Sequence, residues 1–258
     1  MTKSMQHTMT KNGLILAVFA IVTTGLIALT YFGTKDQIAL QQQQKLLSIL
    51  NAVIDKSSYD NAIQLDCALV TSVELLGSDE PQHVYRATKQ GQAVAVAIET
   101  TAPDGYSGKI QLVVGITSSQ ASSASVTGVR VLEHRETPGL GDKIDLRISN
   151  WVLDFDNQIY NAEIASNWAV KKDGGQFDQF TGATITPRAV VNAVKLSVEY
   201  YLANQTTIFN TPNACATDIP VSTIAENVMV ENSVAENIVV ENAVAENAVA
   251  GKVSESDE

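Results

Sequence analysis

Between Lys11 and Lys35 the chain carries no charged residue, and the stretch GLILAVFAIVTTGLIALTYF, Gly13 to Phe32, matches the roughly 20 apolar residues that cross a bilayer. A cleaved signal peptide has a shorter apolar region, about 7 to 15 residues, and ends in small residues at its cleavage site. This run is longer and closes on Leu29, Thr30, Tyr31 and Phe32, which suit a membrane interface better than a cleavage site. A retained, single-pass anchor is therefore expected. Lys3 and Lys11 precede the span, whereas Lys35 after it is offset by Asp36, so the positive-inside bias keeps the N-terminus in the cytoplasm. Everything after Phe32 then lies on the outer face, the periplasmic side of an inner membrane if the cell is Gram-negative.

Three regions are expected: an anchor over residues 1–34, a folded domain over 35–210 and a tail over 211–258. QIALQQQQKLLSILNAVID, Gln37 to Asp55, spaces Ile38, Leu46, Leu47, Ile49, Leu50, Val53 and Ile54 as an amphipathic helix would. Strand signals follow in VYRATKQGQAVAVAIET, KIQLVVGIT and SVTGVRVLEH, which are rich in Val and Ile and separated by Gly, Pro, Ser and Asp clusters. APDGYSG, Ala102 to Gly108, is a turn by its chemistry. Helical spacing returns in the stripe Val190, Val191, Val194, Val198, Tyr201 and Leu202. Strands in succession with helices at the ends predict an α+β domain rather than a doubly wound parallel sheet.

The tail holds the units VMVEN, SVAEN, IVVEN and AVAEN, Val228 to Asn247. A period of five fits neither a helical turn nor strand alternation, so the tail is expected to be an acidic, disordered appendage rather than a solenoid. It also explains much of the formal charge of -11, since nine of the 28 acidic residues and one of the 17 basic ones lie beyond Asn210. The remainder is nearly balanced, which gives no electrostatic case for nucleic acid. Cys67 and Cys215 are too few for a disulfide scaffold and too far apart in sequence for a zinc knuckle. Whether they pair is left open.

The segment with most chemical content is TGATITPRAVVNAVK, Thr181 to Lys195. Pro187 suits the first position of a helix, which predicts Thr186 as the N-cap. A helix N-terminus also favours anions, so a phosphate esterified to the Thr186 oxygen would lie against the positive end of the dipole. Gly182 and Ala183 would let backbone approach a bulky group, and Thr184 supplies a second hydroxyl. A capped helix after a glycine-containing turn remains the plainer reading of the same residues.

DGGQFDQFTGATIT, Asp173 to Thr186, resembles the flavinylation motif of FMN-binding domains, in which a Ser or Thr precedes Gly-Ala-Thr-x-Thr and the last Thr carries FMN through a phosphoester. HRETPGLGDKI, His134 to Ile144, and APDGYSGKI, Ala102 to Ile110, are similar to stretches of the G subunits of Rnf (Rsx) electron transport complexes. The resemblance covers the chain from Gly13 to about Leu202; the tail departs from it. It implies an extracytoplasmic FMN-binding domain behind the transmembrane helix. FMN would be held covalently at Thr186, the link being made from FAD by a separate flavin transferase that uses magnesium. Thr181, Gly182, Ala183 and Thr184 would shape the turn, while Glu136, Thr137, Gly139 and Leu140 would lie near the flavin, with Leu140 packing on its ring.

The implied role is an electron relay in an ion-translocating ferredoxin/NAD oxidoreductase, a translocase subunit with no catalytic residue and no metal site of its own. Its partners would be membrane and iron–sulfur subunits of the same complex. The span offers no intramembrane charge for an ion path. The C subunit of a sodium-pumping NADH:quinone reductase shares the motif and stands as an alternative, as does an anchored binding or assembly module without flavin. His134 reads as a polar loop residue, Trp151 and Trp168 as packing residues, and Asp173 and Asp178 either as marks for the transferase or as turn residues.

Overall fold

The computed structural model describes residues 2–120 and 122–216. The repeat tail expected to be disordered lies outside the described residues. Helix α1 (Thr2–Val53) is continuous over 52 residues, roughly 78 Å at 1.5 Å per residue. Within it, Asn12–Lys35 is long and apolar enough to cross a membrane. The amphipathic stretch expected after the span is the last part of this same helix. Neither proline nor a capping signal interrupts it there, and the glutamines between are good helix formers.

Six strands follow: β1 (Cys67–Ser72), β2 (Ser78–Lys89), β3 (Gln92–Ala102), β4 (Ile110–Gln120), β5 (Ser123–Glu133) and β6 (Gln158–Asn161). Each pairs antiparallel with its sequence neighbours, so the sheet order is β1-β2-β3-β4-β5-β6. The stretch read as one strand signal around Val84 to Thr100 is a hairpin, turned at Gln90 and Gly91, both at positive φ. A one-turn helix α2 (Val73–Leu76) joins β1 to β2, and helix α3 (Ile185–Asn210) follows the sheet. The architecture is α+β, as the sequence predicts.

Strand alternation gives the sheet two apolar faces. On one, Val84, Val96, Ile98, Leu112, Val114, Ile116 and Val126 share a core with Val190, Val191, Val194, Val198 and Tyr201 of α3. Arg86 crosses to the far end of that helix, where Nη1 donates to the carbonyls of Ile208 (3.2 Å) and Thr211 (2.6 Å) while Nε donates to Asp66 Oδ1 at 2.7 Å. A cation on the last carbonyls complements the negative end of the helix dipole. Tyr160 of β6 donates to Glu199 of α3. Burial, with the Glu199 carboxylate beside it, pushes that phenol far above its ordinary value, so it stays protonated.

On the other face the end of α1 packs, burying Leu50, Val53 and Ile54. Its approach needs two glycines that face each other across the strands, Gly115 and Gly128. A Cβ on Gly115 would stand 2.3 Å from the Val53 carbonyl oxygen and 2.5 Å from Thr127 Oγ1. One on Gly128 would stand 3.0 Å from the Val53 Cα. Thr127 Oγ1 also donates to the Val53 carbonyl and ties the helix end to β5. Both cysteines of the chain, Cys67 and Cys215, are disulfide-bonded.

The glycine pair gives a graded expectation. Gly115→Ala should lower the stability of the detergent-solubilised chain by about 1–3 kcal/mol through overpacking, and Gly128→Ala by less, as read from urea unfolding. Equal effects, or none at Gly115, would contradict the docking described.

Candidate functional site

The N-terminus of α3 is built by the chain just before it. Phe180 and Ala183 close a turn, with Ala183 N–H donating to the Phe180 carbonyl at 3.1 Å. Gly182 sits in that turn at φ +83, a conformation that favours glycine. Beneath it lies an aromatic cluster. Trp151 meets Phe180 edge-on with centroids 5.1 Å apart, and its Nε1 donates to the Asp178 carbonyl at 2.8 Å. Phe155 stacks on Phe177 at 4.4 Å, and Trp168 packs beside Phe177 at 5.4 Å. Both tryptophans are packing residues, as expected.

The helix begins earlier than the sequence suggests. Thr184, not Thr186, is the N-cap, and it makes no side-chain capping bond. Ile185, Thr186 and Pro187 are the first three helical residues, so proline stands third rather than first. The shift leaves the Thr186 hydroxyl free of capping duty. The first-turn N–H groups of Ile185 and Thr186 have no intrahelical acceptor, and Pro187 brings none.

Thr186 is 0% exposed, and its Oγ1 donates to Glu136 Oε2 at 2.5 Å. Glu136, 5% exposed, lies in the segment after β5. Its Oε1 accepts from Ser107 N–H at 3.0 Å, and its own N–H donates to His134 Nδ1 at 3.2 Å. His134 is thus a loop-organising residue whose Nε2 lies 3.7 Å from Asp145 Oδ2. Asp145 accepts from Arg147 Nε at 3.0 Å and from Arg147 N–H at 2.9 Å. The Arg147 guanidinium holds the Asp145 carboxyl below its ordinary range, with His134 adding to the effect. Gly141 closes the arrangement: a Cβ there would stand 2.4 Å from Glu136 Oε2 and 2.8 Å from Thr186 Oγ1.

Glu136, Gly141 and Thr186 line a cleft of about 440 Å³, within the range of small-molecule sites. Of the residues singled out from sequence, Glu136, Thr137, Leu140, Gly182, Ala183, Thr184 and Thr186 line it, while Thr181 and Gly139 do not. Tyr106, Gly141 and Ile185 line it as well and were not singled out. Tyr106 belongs to the turn APDGYSG, whose chemistry marks a turn but not where its tip points. Exposed Tyr106, Leu140 and Ile185 give an apolar rim over a polar floor. Asp173 is paired with Arg188, Oδ2 to Nε at 2.6 Å and Oδ1 to Nη2 at 2.8 Å, and that guanidinium lowers its pKa. Asp178 pairs with Lys171 at 2.7 Å.

Residues 1–53 match the family described as RnfG N-terminal region, and residues 105–199 match the FMN-binding domain family. The chain is 62% identical over 215 residues to the G subunit of the ion-translocating oxidoreductase complex of Pseudoalteromonas atlantica, covering 83% of this chain and 98% of that protein. It is 58% identical over 205 residues to the corresponding protein from Vibrio cholerae serotype O1, covering 80% and 96%. The corresponding Aliivibrio fischeri protein is 55% identical over 214 residues, covering 83% and 100%.

An FMN suits the residues present. The first-turn amides at the helix mouth have no intrahelical acceptor and suit a phosphate, and exposed Tyr106, Leu140 and Ile185 give the cleft an apolar rim that suits a flavin ring.

Two expectations follow from this network. Gly141→Ala should force Glu136 and Thr186 apart and lower Tm by several degrees, since a buried pair loses its bond; an unchanged Tm would mean the loop gives way freely. Asp145 has a depressed folded-state pKa, so its contribution is full above the unfolded value near about 4 and fades as pH falls through the folded value. Asp145→Asn should therefore lower Tm at pH 7, with the difference from wild type shrinking below about pH 4.

Proposed function

The chain belongs to the family of G subunits of ion-translocating oxidoreductase complexes, and from that membership we propose that it relays electrons within such a complex through an FMN esterified to Thr186. The observation that carries this reading is Thr186, a residue lining the cleft at the mouth of α3, whose hydroxyl is free of capping duty. FMN supplies a group that takes electrons singly or in pairs. The chain's own residues place it. The Thr186 oxygen is the tether, and the amides of Ile185 and Thr186 with the positive end of α3 favour the phosphate. Tyr106, Leu140 and Ile185, the exposed apolar rim of the cleft, would pack on the ring and shield it from water on one side. No side chain is assigned acid–base work on an electron-transfer substrate.

The maturation partner is a flavin transferase that draws the FMN from FAD, and the redox partners are membrane and iron–sulfur subunits of the same complex. The domain lies on the periplasmic side of the inner membrane. Lysines ahead of the span support that orientation. The disulfide-bonded state of Cys67 and Cys215 agrees with an oxidising compartment. The two other readings, a quinone reductase C subunit and a module without flavin, are not favoured, because the named relatives are G subunits and the FMN-binding domain family matches residues 105–199.

Expression of the full chain with and without a flavin transferase tests the reading directly. Intact mass should rise by one FMN less one water only with the transferase, and the Thr186→Ala variant should stay unlabelled. Labelled Thr186→Ala would move the tether elsewhere. Chain from the native membrane should show no reactive thiol before reduction and two after it; thiols already reactive in fresh membranes would speak against the periplasmic side.

A further inference from the structure

Thr186 and Glu136 are more than a satisfied buried pair. Their oxygens stand 2.5 Å apart, at the short end for a hydroxyl donating to a carboxylate. The carboxylate is fixed from its other side, since Oε1 takes the Ser107 N–H at 3.0 Å. The backbone N–H of the same residue is held by His134 Nδ1 at 3.2 Å, and His134 in turn lies 3.7 Å from the Asp145 carboxylate. Gly141 leaves just enough room for the pair to meet. A hydroxyl, a carboxylate within reach of its proton and further groups that orient the carboxylate are the parts of an activated nucleophile.

From this geometry we infer that Glu136 is the general base for flavin transfer onto Thr186, so that the acceptor domain brings its own base to the reaction that modifies it. The inference rests on the covalent-flavin reading above. In the step, Thr186 Oγ attacks the flavin-side phosphorus of FAD. The Oγ–P bond forms, the bridging P–O bond of the pyrophosphate breaks, and AMP leaves with that electron pair. The hydroxyl proton passes to Glu136 Oε2, and nothing is oxidised or reduced. A proton on Glu136 also removes the repulsion that a carboxylate would exert on the new phosphodiester.

The test uses full-length apo chain, made without transferase, then mixed with FAD, magnesium and purified flavin transferase. Covalent flavin is followed in time by gel fluorescence and intact mass across a range of pH. Glu136→Gln keeps an oxygen that can accept the Thr186 hydroxyl but cannot take its proton. It should slow labelling at least about 100-fold, the usual scale of general-base catalysis, and its rate should climb with pH where wild type is level. Glu136→Asp, which keeps a carboxylate, should recover part of the rate. Labelling of Glu136→Gln at the wild-type rate overturns the inference and leaves the covalent flavin standing. Should Glu136→Gln fail to fold, Glu136→Asp decides: labelling at the full wild-type rate, with the carboxylate one methylene short of Thr186, also overturns it. Wild type that takes no label removes both readings together.

Discussion

One hydrogen bond holds the three parts of the cleft in register: Thr186 Oγ1 to Glu136 Oε2, 50 residues apart in sequence. Both groups are buried, and each would carry a desolvation cost if left alone. That cost makes the segments around them depend on one another. The loop after β5 must bring Glu136 to the first turn of α3, and the turn before β4 must present the Ser107 amide to the same carboxylate. Gly141 is then required by the space left between two oxygens rather than by its backbone angle. The cleft is the region these three segments leave open once the carboxylate has been satisfied.

The scaffold converts that local arrangement into a fixed position relative to the membrane helix. α1 runs without a break from the span to Val53, and its end is seated on the sheet at Gly115 and Gly128. α3 covers the opposite face, with Arg86 binding its last carbonyls and the Trp151, Phe155, Phe177 and Phe180 cluster supporting the turn before its first residue. An electron carrier of this kind gains from placement more than from reactive side chains. A helix that enters the domain as a packed element, with no linker between, supplies placement.

Much of this was legible in the sequence because it depends on local pattern. The uncharged run, the stripe of α3 and the alternating strands state their own periods, and the threonine-rich segment identified the mouth of the helix. What escaped depends on contacts between distant segments. Thr186 was read as the cap from Pro187 beside it, yet the preceding turn, held by Phe180 against Trp151, starts the helix at Ile185 and puts the cap on Thr184. Gly141 and Tyr106 carry no local signal of their place, since only the folded chain brings them to Glu136 and Thr186. Thr181 and Gly139 fall outside the cleft lining although their sequence neighbours line it. Strand β6, four residues long, is too short to show a period.

The position of Glu136 also bears on how a single helix end can serve two anions. The positive end of a helix dipole and its free amides favour one negative group strongly. In the chain as folded, the Glu136 carboxylate meets the helix at its second residue and takes the donor that Thr186 offers. A phosphodiester on the same oxygen would compete for the same field, and two anions at hydrogen-bond distance repel in a site with little water to screen them. Esterification also removes the hydroxyl proton that made the contact attractive. Under the esterification proposed for Thr186, a proton handed to the group facing it would remove that repulsion. A neutral acid there would donate where a carboxylate accepted, and the positive helix end would be left with one anion instead of two.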